Sequence, residues 1–239
     1  MADVFAIRNE LGRFFDEVIY KQALAARRPD VELEVPVDIS FKDFSKRYFL
    51  DALVARGGLI EFKASETLSP RHKAQLLHYL FLLELRHGLL VNMRPENVER
   101  EFVNATMSRA ERLAFRVETS AWTKTLPGAE AVREILLALL ADWGTALELA
   151  LYEEALTHFM GGEARVLRRV PVQLDGLSLG EQLLRFVADG VVFKLTAFES
   201  EGDAPLFTAH ARRLLQHAGL RAMLWVNIAR HQITFTTLE

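Results

Sequence analysis

Apolar residues recur at helical spacing near the start of the chain, at Val4, Ile7, Leu11, Phe14 and Val18. The spacing predicts one amphipathic helix over about residues 3–27, ended by Pro29. Val31 to Phe41 alternates as a strand does, and Pro36 within it points to a sheet edge or a bulge. Residues 42–46 read as a polar connection. The run from Leu50 to Ala55 is apolar except for Asp51. Gly57-Gly58 then signals a hairpin turn, and Leu59-Ile60-Glu61-Phe62-Lys63 alternates as the return strand. Ser69 is a good helix N-cap and Pro70 a good first helical residue, so a helix is expected from Pro70 to about Arg86. Short strands follow at 88–92 and about 98–104. Residues from about 106 to 128 show little pattern, and Pro127-Gly128 breaks them. A long helix is expected from Ala129 to Phe159, stopped by Gly161-Gly162.

The second half of the chain repeats features of the first. Gly144-TALELALY-EEAL answers Gly12-RFFDEVIY-KQAL, so Tyr152 stands for Tyr20. Val170-Pro171-Val172 answers Val35-Pro36-Val37, and Val187-Ala188-Asp189-Gly190 answers Val54-Ala55-Arg56-Gly57. The stretch ending in Asn227 answers the one ending in Asn92. Four pairs in one order imply a tandem duplication. The charges are not repeated: Leu184 or Arg185 is expected opposite Asp51, and Phe193 and Leu195 opposite Glu61 and Lys63. The fold therefore does not need those charges, and their presence in the first copy calls for another reason.

Alternation puts Leu59, Glu61 and Lys63 on one face of their strand and Ile60 and Phe62 on the other. Asp51 leaves the paired strand within reach of Glu61 if the chain turns at the glycines. Two carboxylates beside a lysine form a hard-cation site, since magnesium takes carboxylate, water and phosphate oxygens. Glu-x-Lys on a strand is ordinarily a solvated face, but the helix that follows changes the balance. Arg71, His72 and Lys73 lie in its first turn, where cations oppose the helix dipole. A docked phosphate would relieve that conflict. Gln75 and Tyr79 lie one turn apart on one face of the helix.

Composition removes several alternatives. The 239 residues are half hydrophobic, enough for a substantial core, and include no cysteine, so disulfides and thiolate metal sites are excluded. The seven histidines are scattered without zinc-ligand spacing. Phosphate-binding glycine loops and the nucleophile elbow of hydrolases are absent. A net charge of −3 argues against tight non-specific DNA binding but allows a local basic cleft. No apolar run reaches membrane-spanning length, and the first residues lack a signal pattern. The expectation is a soluble cytoplasmic protein without a membrane role.

Asp51, Glu61-x-Lys63 and Gln75-x-x-x-Tyr79 together resemble the PD-(D/E)XK nuclease superfamily in its RecB-like form. The N-terminal LGRFFDEVIYKQAL resembles the GxxExxY subgroup, with Glu17 and Tyr20 in motif positions and Phe14 in place of the motif glycine. The resemblance runs from about Leu11 to Met93. It implies an α/β fold with a mixed sheet flanked by helices, and a phosphodiesterase that uses magnesium or manganese on nucleic acid, with DNA ahead of RNA. Asp51, Glu61 and the Phe62 carbonyl would be metal ligands, and Lys63 would act on the attacking water or the phosphorane. Gln75 and Tyr79 would orient these groups, Glu17 would add an outer ligand, and Arg71, His72 and Lys73 would hold substrate phosphate. The expected organisation is a nuclease-like domain at 1–107, a connection at 108–128, and a degenerate copy at 129–239. That copy would make the chain a pseudo-dimer, with self-association of whole chains also allowed. The alternative reading is a nuclease-fold nucleic-acid-binding or assembly module without turnover.

Overall fold

The computed structural model describes residues 1–55, 57–200 and 202–239. The chain divides into two units, Met1–Arg109 and Ala110–Glu239. Unit 1 contains α1 (Ala2–Leu11), α2 (Glu17–Arg27), β1 (Val31–Phe41), β2 (Phe44–Val54), β3 (Gly58–Lys63), α3 (Pro70–Leu82), β4 (His87–Asn92) and β5 (Glu99–Asn104). The helix expected over residues 3–27 is thus two helices. Gly12 breaks it with φ +78°, a conformation glycine adopts without steric cost. The Gly12 carbonyl accepts the Tyr20 hydroxyl at 2.9 Å, which fixes the angle between the halves. The helix expected to reach Arg86 stops at Leu82.

The five strands form one sheet in the order β1-β2-β3-β4-β5. The β1/β2, β2/β3 and β4/β5 pairs are antiparallel, and β3/β4 is parallel. Pro36 sits on the edge strand, where a missing donor is tolerated. Val4, Ile7, Tyr20 and Leu24 of α1 and α2 pack on Ala52, Phe62, Leu89 and Val91 of the sheet. By alternation Gly88 faces the other way, toward α3. A Cβ there would come within 2.9 Å of a Leu76 methyl and 3.3 Å of the Leu59 carbonyl oxygen. Helices therefore cover both faces, and the burial of β3 on both sides follows.

Unit 2 contains β6 (Arg116–Ala121), preceded by the short α4 (Arg109–Leu113) that starts at the boundary, then α5 (Ala129–Trp143), α6 (Leu149–Phe159), α7 (Glu163–Val166), β7 (Leu167–Leu174), β8 (Leu177–Ala188), β9 (Val191–Thr196), α8 (Asp203–His217), β10 (Ala222–Ile228) and β11 (Gln232–Leu238). The connection expected at 108–128 holds real elements, since β6 pairs in parallel with β11. The helix expected over 129–159 is again two, broken at Gly144 with φ +79°. The Gly144 carbonyl accepts the Tyr152 hydroxyl at 2.5 Å. The sheet order is β6-β11-β10-β9-β8-β7. From β7 to β11, strand order and directions match those from β1 to β5. Helices precede the first of these strands, and one helix lies between the third and fourth, as in unit 1.

Register corrects one expected correspondence. Asn92 stands opposite Lys63, and Asn227 opposite Thr196. The Asn92 amide bonds the Ser65 N–H (3.2 Å) and carbonyl (2.8 Å), and the Asn227 amide bonds those of Phe198 (2.7 and 3.0 Å). Lys194 and Thr196, not Phe193 and Leu195, therefore occupy the positions of Glu61 and Lys63. A one-residue slip exchanges the two faces of a strand, and Phe193 and Leu195 are core residues.

Candidate active site

The β2–β3 hairpin sets the register of the site. Ala52 lies opposite Ile60, so Asp51 falls beside Glu61. Asp51 Oδ2 accepts the Phe62 N–H at 2.8 Å, closing the gap where the ladder between the strands ends. Glu61 is only 1% exposed. Its Oε1 accepts a hydrogen bond from Lys63 Nζ at 2.7 Å, while Oε2 is buried with no hydrogen-bond partner among the described residues. Burial pushes the Glu61 carboxyl up to about 7, with the Asp51 charge adding and Lys63 opposing. For Lys63, burial works against the charge, but the Glu61 charge and hydrogen bond, together with the Glu17 and Asp51 charges, outweigh it and raise the pKa. The Glu-x-Lys pair is thus not a solvated face.

Three further groups surround it. Glu17, the first residue of α2, accepts the Ala64 N–H at 3.0 Å, which ties that helix to the residue after Lys63. Gln75 donates from Nε2 to the Tyr79 hydroxyl at 3.1 Å. Burial raises the Tyr79 pKa; Gln75 opposes the rise, and the Glu61 and Asp51 charges add to it. The first turn of α3 is partly committed to its own cap. Ser69 Oγ accepts the His72 N–H at 3.4 Å, and His72 Nδ1 accepts the Ser69 N–H at 3.2 Å. This reciprocal box satisfies two donors, so His72 has a role in holding the helix. Burial first, then the Lys63 and Arg71 charges, lower the His72 pKa against Glu17. Lys73 pairs with Glu101 at 2.7 Å, and Arg71 is exposed.

Two residues at the site are not among those the sequence points to. Lys21, 7% exposed, donates to Asp51 Oδ1 at 2.9 Å and also to Glu34. A lysine four residues after Glu17 reads as a surface ion pair, so nothing local marks it. Asn92, fully buried, pins the loop after Lys63 and donates to Glu99 at 3.1 Å. Its recurrence as Asn227 was the available signal. A separate apolar cavity of about 210 Å³, lined in part by Leu24, Val54, Leu59 and Phe102, opens at the other end of β3 and does not reach these groups.

Among the described residues, no three His, Asp or Glu side chains converge closely enough to hold a metal by themselves. The site offers instead two hard carboxylates, one with a buried and unpartnered oxygen. That donor set suits magnesium, which keeps waters and takes phosphate oxygens to complete its shell.

The model of the PD-(D/E)XK nuclease superfamily matches residues 1–104, ending on the last residue of β5. A solved structure described as "Crystal structure of SSO0001" is similar at 24% identity with a TM-score of 0.31, over 37% of this chain and 48% of that one. The match thus spans about half the length of that protein. No curated protein matches the chain.

Proposed function

We propose that unit 1 is a metal-dependent nuclease hydrolysing phosphodiester bonds of nucleic acid, with DNA ahead of RNA. The observation that carries this is the buried Glu61, held beside Asp51 with one oxygen on Lys63 and the other without a partner among the described residues. A carboxylate left in that state costs stability, and unit 2 dispenses with it in a sheet of the same strand order. The superfamily match to residues 1–104 supports the same reading.

Magnesium or manganese, held by Asp51, Glu61 and the Phe62 carbonyl, would supply Lewis-acid polarisation of the scissile phosphate and a more acidic water. The chain's own groups do the rest. Lys63 sits on Glu61 and presents its ammonium where it can orient the attacking water or neutralise charge on the phosphorane. Gln75 and Tyr79 hold each other and orient these partners. Glu17, fixed on the Ala64 N–H, is placed as an outer acidic group. Arg71, exposed in the first turn of α3, would meet substrate phosphate, with Lys73 and His72 beside it. Lys21 is a positioning residue for Asp51.

Unit 2 would then be a degenerate repeat that lost the acidic site, which makes the chain a covalent pair of related units. Its repeated strand order, its Gly–Tyr clasp and its asparagine bridge favour this over independent origin. The test is a panel of labelled single- and double-stranded DNA and RNA with magnesium or manganese, run beside Lys63→Ala. Metal-dependent cleavage by the wild type alone is expected. Absence of cleavage on every substrate, or equal cleavage by both proteins, would sink the nuclease reading.

A further inference from the structure

The loop between α1 and α2 carries apolar side chains into solvent. Phe14 is 76% exposed and Phe15 45%, and Val18 and Ile19 in the next turn are 50% and 42% exposed. The loop is anchored, because the Tyr20 hydroxyl donates to the Gly12 carbonyl and accepts the Phe15 N–H at 3.3 Å. The Phe15 ring meets the Tyr20 ring edge-on at 6.5 Å. The Arg13 guanidinium lies 5.1 Å from the centre of the Phe14 ring and pairs with Glu96 at 2.9 Å. Glu17, three residues beyond Phe14, reaches the residue after Lys63. The exposed aromatics therefore hang from the turn that touches the candidate site.

Unit 2 supplies an internal control. Counting from the matching glycine, Thr145, Ala146 and Leu147 stand where Arg13, Phe14 and Phe15 stand. Thr145 is fully buried and Leu147 is 7% exposed. The loop exposes phenylalanines only in the unit that has the acidic site. Phe14 is also the point where the chain departs from the motif it resembles. Phe14, Phe15, Val18 and Ile19 expose apolar surface close together in the chain, and a contiguous exposed apolar patch marks an interaction surface rather than packing.

We infer that Phe14, with Phe15 beside it and the Arg13 guanidinium against its ring, is a stacking platform for unpaired bases, so that the site takes single-stranded nucleic acid. The inference rests on the nuclease reading of the same site. Bases in a duplex have both faces stacked, whereas an unpaired base offers a face to an aromatic ring whatever its identity. The charges agree: Arg71 is exposed in the first turn of α3 and Arg13 can exchange its exposed Glu96 partner for a backbone phosphate, while the apolar ring has no donor for reading a base edge. A protein partner for the same patch is the competing outcome.

The test is binding by the full chain, followed by fluorescence anisotropy with calcium in place of magnesium. The probes are one sequence as single-stranded DNA, as single-stranded RNA and as duplex DNA. Single strands should bind at least about tenfold more tightly than the duplex, and Phe14→Ala should weaken them about tenfold. Duplex binding should not change, and Phe14→Trp should restore the single strands. The RNA arm reports the sugar preference. Unchanged single-strand affinity in Phe14→Ala, or no binding of any probe, overturns the platform. Single-strand binding through Phe14 without any cleavage under magnesium would keep the platform and remove the nuclease. Lys63-dependent cleavage indifferent to Phe14 would do the reverse.

Discussion

In unit 1 a buried lysine, Lys21, lies between two carboxylates, Glu34 and Asp51. In unit 2 the residue after the matching tyrosine is a carboxylate, Glu153, and it lies between two cations, Arg185 at 3.3 Å and Lys194 at 3.5 Å. The charges are inverted on a shared frame. Both units close the helix break with a tyrosine hydroxyl on a glycine carbonyl, and both pin the loop after the third sheet strand with an asparagine amide. The frame needs each buried ion to be paired, and either sign meets that need. What the frame does not need is Glu61, buried and half-satisfied. Lys194, at its position, reaches out to solvent with a 48% exposed side chain. On the proposed nuclease reading, the acid is a cost that only unit 1 carries for its site.

The largest effect should separate the two positions by activity. Asp51→Asn or Lys63→Ala should lower cleavage roughly a hundred- to ten-thousand-fold, the range for loss of a group acting on the reacting atoms. Lys194→Ala should leave it unchanged. Steady-state rates on the best substrate decide this, and an equal loss from Lys194→Ala would mean that the two units share the chemistry.

Stability should separate Lys21 from its inverted counterpart. Removing one partner of a buried ion pair costs about 3–5 kcal/mol, because the other charge stays behind. Lys21 has a 9% exposed side chain and Asp51 14%, so Lys21→Met should lie in that range by urea unfolding. Burial works against the Lys21 charge, but Glu34 and Asp51 raise its pKa overall. Glu153→Gln should cost less, about 1 kcal/mol, since Arg185 and Lys194 are 32% and 48% exposed and water can take over. Equal costs would show that the inversion is a packing requirement in both units.

Asp51, Glu61 and Lys63 were legible because two glycines fix a hairpin and alternation then fixes the faces. The break at Gly12 was not, because a glycine inside a helix costs only about 1 kcal/mol and apolar spacing continues across it. The partner that decides the matter, Tyr20, lies eight residues away. Lys21 was hidden because a lysine near acids on a helix is usually solvated, and only the fold brings Glu34 and Asp51 onto it. His72 was expected to meet phosphate, and its cap function appears only once Ser69 N–H turns toward its ring. The second sheet's extra strand β6 leaves little signal because Arg116–Ala121 is short and mostly polar, as an edge strand can be.

Next in size is a pH effect on Glu61. Its carboxyl titrates near 4.5 when unfolded and at about 7 when folded, because burial favours the protonated form. The stability it contributes is present below pH 4.5 and is lost as pH rises through 7. With chelator present, the wild type should therefore weaken relative to Glu61→Gln as pH rises through that window, by roughly 1–3 kcal/mol. Thermal melts at several pH values test it. Added magnesium should then raise the wild-type melting temperature at high pH and leave Glu61→Gln unmoved. Parallel pH profiles for the two proteins would mean that Glu61 is not the buried acid described.

The smallest effect tests the shared frame itself. Tyr20→Phe and Tyr152→Phe each remove one hydroxyl from a fully buried ring and leave a glycine carbonyl without its partner. Each should cost about 1–2 kcal/mol, the usual loss for a buried hydrogen bond broken on one side. Similar costs in the two variants would support a common frame, and a neutral effect in either would remove its clasp from the comparison. Function should then divide them. The Tyr20 hydroxyl also receives the Phe15 N–H, so its loss slackens the loop bearing Phe14 and the turn bearing Glu17. Tyr20→Phe should thus raise KM for a single-stranded substrate several-fold at temperatures where the protein stays folded, and Tyr152→Phe should not. A matching rise in both would mean that the clasp serves folding alone, and that the site draws nothing specific from the loop it holds.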